Sequence, residues 1–81
     1  MGGEMKRNNI KARTYTVLIE QDEEGWYIAT VPDLRGCHTQ ARTIGELLKR
    51  AREVIKLCVE VEGKPEKPLR FIGIQQLEIA A

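Results

Sequence analysis

TIGELLKRAREVIKLCV, residues 43–59, repeats its apolar side chains at Ile44, Leu47, Leu48, Ala51, Val54, Ile55 and Cys58. This spacing gathers them on one face of an α-helix, while Glu46, Lys49, Arg50, Arg52, Glu53, Lys56 and Glu60 fall mostly on the other. Thr43 followed three residues later by Glu46 reads as a capping box that satisfies the first helical amides. Gly63 marks the stop, and Pro65 and Pro68 forbid continuation. At about 1.5 Å per residue such a helix is roughly 25 Å long, enough to cover a small sheet from edge to edge.

Upstream of the helix the pattern changes from a period of 3.6 to a period of two. RTYTVLIEQ, residues 13–21, is rich in β-branched and aromatic residues and reads as a strand with Tyr15, Val17 and Ile19 on one face. Asp22-Glu23-Glu24-Gly25 is a hairpin connection in which Gly25 takes positive φ. It leads into a second strand, Trp26 to Val31, with Tyr27, Ala29 and Val31 sharing one face and Trp26, Ile28 and Thr30 the other. Pro32-Asp33-Leu34-Arg35-Gly36 is a turn in which Asp33 is expected to cap its own backbone. Cys37-His38-Thr39 forms a short third strand. Downstream, Leu69 to Ile79, LRFIGIQQLEI, reads as a final strand, long for so small a domain and free to pair with another copy or to bend at Gly73.

The expected architecture is α+β, in the order β-β-β-α-β, an antiparallel sheet with one helix packed on one face. Leu48, Ala51 and Ile55 are expected to pack on Tyr15, Val17, Tyr27 and Val31. The opposite sheet face, carrying Leu18, Trp26 and Ile28, is then too apolar to stand in water and marks an interface. One 81-residue chain buries only about 60% of the surface it exposes when unfolded, so self-association is an expected supplement. Residues 1–12 read as a tail and residues 13–81 as a single domain.

Thirteen basic and twelve acidic residues give a formal charge of +1, no electrostatic signature of a nucleic-acid protein. The basic residues of the tail, Lys6, Arg7, Lys11 and Arg13, read as a solvated terminus. Two cysteines make no disulfide framework and no metal-ligand cluster, so no cofactor or metal is expected. No apolar run approaches the roughly 20 residues of a membrane span, which with reduced thiols suggests a cytoplasmic protein. Cys37 and His38 are adjacent, and neighbours in a strand face opposite ways, so they do not form a nucleophile and its base. Cys37 reads as a core residue and His38 as a surface or interface residue. No catalytic set converges. Trp26 and Tyr27 offer aromatic contacts, with Arg35 or Arg42 near the same end of the sheet, and Asp22, Glu23, Glu24 and Asp33 offer negative charge that suits a basic partner.

Tyr15-Thr16-Val17, Asp22-Glu23-Glu24-Gly25-Trp26-Tyr27-Ile28-Ala29, Pro32-Asp33-Leu34-Arg35-Gly36-Cys37-His38-Thr39-Gln40 and the Thr43-capped helix together resemble the HicB-like antitoxin family over about residues 14–60. The resemblance implies a cytoplasmic prokaryotic protein with an incomplete double-stranded-RNA-binding-like or RNase H-like fold. It also implies a dimer or tetramer whose partner is a small HicA-type mRNA-cleaving toxin. On this reading Asp22, Glu23, Glu24, Trp26, Tyr27, Asp33, Arg35 and His38 form a toxin or oligomer interface. Two departures stand out. Ala41 and Arg42 replace the glycine and aspartate common before the capping threonine, and no operator-binding domain follows the last strand, so direct DNA binding is not expected. The implied function is binding and neutralising the toxin. The alternatives are a nucleic-acid-binding or RNA-processing module, or a stand-alone oligomer without an assigned role.

Overall fold

The computed structural model describes residues 12–65 and 67–80. All but the last residue of the expected tail lies outside that range. Three strands, β1 (Leu18–Gln21), β2 (Tyr27–Thr30) and β3 (His38–Ala41), precede one helix, α1 (Ile44–Glu62). The strands form an antiparallel sheet in the order β1-β2-β3. The helix packs on one face of it, chiefly over β3 and β2.

Local chemistry accounts for each boundary. The β1–β2 hairpin closes on Asp22, whose Oδ1 accepts from the amides of Glu24 and Trp26 at 2.9 Å each, and Gly25 takes the positive φ of 91° expected of it. At the start of α1, Thr43 Oγ1 accepts from the Glu46 amide at 3.1 Å. The reciprocal half of the capping box is replaced. The Glu46 carboxylate instead meets Arg50 at 3.4 Å, and Arg50 also donates to the Gln40 carbonyl at 2.8 Å, tying the helix to β3. The helix runs three residues past Val59 and stops at Gly63, whose amide donates to the Val59 carbonyl and whose φ is 82°.

The β2–β3 connection is more than a surface turn. Val31, Leu34 and Cys37 are linked by successive backbone hydrogen bonds of 3.0 to 3.2 Å, which fold Leu34 inward until only 4% of it is exposed. Leu34, Val31 and Cys37 form one core cluster, against which Tyr15, Val17, Val54, Ile55, Cys58 and Val59 pack. A second cluster of Ala29, Ala41, Leu47 and Ala51, flanked by Val17 and Tyr27, lies where the helix crosses the sheet. Three alanines at that crossing let the two backbones approach closely around Leu47, the one large side chain among them.

Two expectations change. The central helix residue is Leu47, fully buried, rather than Leu48, which is 39% exposed. The apolar stripe is wider than the contact, and a helix centred over β2 and β3 turns Leu48 toward the uncovered margin beside β1. Ile19 is left exposed for the same reason, although its pairing with Ala29 puts it on the helix side. The second change concerns residues 69–79, which form no ladder within the chain, every described residue from 67 to 80 being exposed. A strand exists only against a partner, and a sheet whose strands are four residues long offers this segment no matching edge. The radius of gyration of the chain is 16.2 Å, where a compact chain of this length has about 12 Å.

Leu47→Ala should therefore lower stability by about 3 to 5 kcal/mol, because the removed volume lies in a closed cavity between helix and sheet. Leu48→Ala should cost markedly less. Urea unfolding of the two variants checks the ranking, and an equal or larger loss at Leu48 contradicts the packing described.

Candidate functional site

The strand register divides the sheet into two unlike faces. Leu18 pairs with Thr30 and Thr30 with His38, while Glu20 pairs with Ile28 and Ile28 with Gln40. Paired residues share a face, so these side chains form the face away from the helix. One step beyond the ladder, alternation adds Trp26 and Arg42 to it. This open face is the candidate binding surface: Ile28 near its centre, an aromatic residue at the hairpin end, His38 at the other.

The eight residues expected to form one interface fall into separate groups. At the hairpin end, Glu23 and Glu24 are exposed at the tip. Asp22 is beside them, but its carboxylate is engaged in holding the turn. Trp26 joins this end on the open face. Tyr27 does not, because it points to the helix side and packs against the cluster of Ala29, Ala41, Leu47 and Ala51. Asp33, Arg35 and His38 lie at the opposite end of β2, about 13 Å away for a four-residue strand. Asp33 does not cap its own turn. Its Oδ1 accepts from the Leu69 amide at 3.3 Å, anchoring the root of the C-terminal segment. Arg35 is exposed beside Pro32, Asp33 and Glu62.

Arg42 is the residue whose role sequence reading understated. Its guanidinium carbon sits 3.8 Å from the centroid of the Trp26 ring, and Nη1 donates to the Glu24 carbonyl at 3.0 Å. The cation is held over the negative face of the indole and ties β3 to the hairpin tip. The assignment needs the register: because Ala41 pairs with Tyr27, the next residue faces Trp26. A basic side chain at position 42 thus closes one side of the aromatic ring and lies beside the acidic tip.

Cys37 and His38 part as expected, the thiol into the core and the imidazole to solvent. Burial pushes the Cys37 thiol up to about 12, reinforced by the neighbouring Cys58 thiol and the Glu62 carboxylate. A neutral, buried thiol is a poor nucleophile. Both cysteines are free. Among the described residues no group of three or more His, Cys, Asp or Glu side chains could hold a metal ion. No helix among them is long and apolar enough to cross a membrane.

These features define an α+β domain with one helix-covered face and one open, mixed-polarity face. The model of the HicB-like antitoxin of the bacterial toxin-antitoxin system matches residues 15–77, and the chain belongs to this family. The match extends past the helix into the C-terminal segment. A UPF0150 protein of Archaeoglobus fulgidus is 45% identical over 65 residues, which cover 80% of this chain and 93% of the relative. A Synechocystis relative is 49% identical with the same coverage, and one from Thermoplasma acidophilum is 46% identical over 83% of this chain and 97% of its own length.

Asp22→Ala should destabilise the fold by about 1 to 2 kcal/mol, since two hairpin amides lose their acceptor. Arg42→Ala should leave the fold intact and increase quenching of Trp26 fluorescence by acrylamide, because the ring loses its cover. Unchanged quenching would contradict the stacked arrangement. Alkylation at pH 8 should modify Cys58 well before Cys37, as mass spectrometry of the digested protein would show.

Proposed function

We propose that this protein is an antitoxin that binds and neutralises a HicA-type mRNA-cleaving toxin by covering its active surface, and that it does so as a self-associating protein of the cytoplasm. The observation that carries this reading is the match to the HicB-like antitoxin family over residues 15–77. The chemistry of the open face supports it. Glu23 and Glu24 project from a hairpin held rigid by Asp22, and they present negative charge to a partner that must itself be basic to bind RNA. Ile28 and Leu18, half-buried in the single chain, supply apolar area behind that charge. A balanced net charge, and an arginine at position 42 committed to Trp26, favour protein over nucleic acid as the partner.

The deciding experiment mixes the purified protein with a HicA-type toxin and measures both complex formation and RNA cleavage. Tight association with loss of cleavage is expected. Glu23→Lys combined with Glu24→Lys should weaken the complex at least about tenfold and reduce its salt dependence, without changing the unfolding midpoint appreciably. Cleavage of RNA by the protein alone, abolished in His38→Ala, would move it to the nuclease class. Salt-dependent RNA binding without cleavage would instead support a nucleic-acid-binding module.

A further inference from the structure

Residues 69–79 form the most conspicuous unsatisfied feature of the molecule. Leu69, Phe71, Ile72, Ile74, Leu77 and Ile79 are between 54% and 83% exposed, in an extended segment without a ladder. At about 3.3 Å per residue the segment reaches roughly 36 Å. The two shorter dimensions of the whole molecule are 28 and 27 Å, against 60 Å along the third. Pairing with the four-residue β1 of its own chain would leave more than half of the segment unmatched.

The segment is, however, matched to itself. Laid antiparallel against an identical copy about a two-fold axis at Ile74, it places Leu69 opposite Ile79, Arg70 opposite Glu78, Phe71 opposite Leu77 and Ile74 opposite Ile74. Apolar meets apolar and positive meets negative throughout, with only Ile72 against Gln76 mixed, and Gly73 and Gln75 filling the remaining pair. A two-fold interface requires this reciprocity, since each residue must suit its partner in both directions. Cross-strand pairs of these kinds are the units that stabilise a ladder.

The surroundings fit the same arrangement. A two-stranded ribbon alone is marginal in water and needs a surface beneath it. The root of the segment, Leu69 to Ile74, borders an open recess of about 350 Å³ whose other wall is Thr16, Leu18, Pro32 and Asp33. In the paired arrangement the second copy's Leu77 and Ile79 lie opposite Phe71 and Leu69 and come over that recess. Alternation puts Leu69, Phe71, Leu77 and Ile79 of each arm on one face of the ribbon, and burying those eight side chains at roughly 60 to 100 Å² each gives on the order of 600 Å² before the recess is counted.

We infer that two copies of this chain associate through their C-terminal arms, residues 69–79, which pair antiparallel about Ile74 with Arg70 of each facing Glu78 of the other. The inference rests on the self-association in the reading above but not on the identity of any toxin.

Light scattering on the full chain should give a multiple of 9.2 kDa at micromolar concentration. Arg70→Glu should weaken association at least about tenfold, because it sets two like-charge pairs across the ribbon. Glu78→Arg should do the same, and the double exchange Arg70→Glu with Glu78→Arg should restore association to within about threefold. In a Cys37→Ala, Cys58→Ser background, Ile74→Cys should oxidise to a covalent dimer while Lys64→Cys does not. A full chain that remains monomeric overturns both the self-association and the arm pairing. An oligomer that tolerates the single charge reversals, or that the double exchange fails to rescue, leaves self-association standing and overturns the arms as its basis.

Discussion

One helix over a three-stranded sheet is the constraint from which the rest of this structure follows. Leu47 is sealed between α1 and the sheet by Ala29, Ala41 and Ala51, and small residues at these positions bring the helix down onto β2 and β3. Close approach at that point is incompatible with equal cover elsewhere. The margin beside β1 is left partly open, with Leu48 and Ile19 exposed, and no helix among the described residues lies on the far face of the sheet. Apolar area that a larger domain would bury internally is therefore presented outward.

The connections compensate for this small core in specific ways. The segment between β2 and β3 folds Leu34 and Cys37 beneath the helix, so a stretch that would ordinarily be solvated contributes a second core cluster. Arg42 and Arg50 fasten the end of β3 to the hairpin and to the helix through backbone carbonyls. Arg50 also pairs with Glu46, but both side chains are about half exposed and that ion pair contributes little. What holds the open face in place is the combination of hairpin geometry, the Trp26–Arg42 stack and the anchoring of Leu69 by Asp33.

Membership of the HicB-like antitoxin family gives these features a common sense. In the reading proposed above an antitoxin acts by occupying a surface, and a sheet face that no helix among the described residues covers is suited to that work. The acidic hairpin and the apolar arm lie at different places on the fold, so of the residues proposed above for a toxin contact Glu23, Glu24 and Ile28 stand apart from the arm, and Leu18 alone also borders the recess beside it. The helix-side face, by contrast, is consumed by the core, and Tyr27 belongs to it despite standing next to Trp26 in the chain.

Much of this was legible in the order of residues. The amphipathic period of residues 43–59, the Thr43 cap, Gly25 in the hairpin and the alternation in β2 specify a helix and paired strands through local geometry, and local geometry is what a sequence records directly. The family resemblance over residues 14–60 was readable for the same reason, because its turns and caps are short-range features. Where the helix sits was not readable. Seven apolar positions make a stripe broader than the contact, and only the packing of alanines at the crossing selects Leu47 over Leu48. Nor could alternation alone assign Arg42 to Trp26, since that requires knowing how far β3 extends along β2. Asp33 was expected to bond its own turn, yet it reaches a residue 36 positions away, a contact that exists only once the chain has folded back. The strand pattern of residues 69–79 was plain in the sequence, but a strand is completed by its neighbour, and the tertiary structure of one chain supplies none.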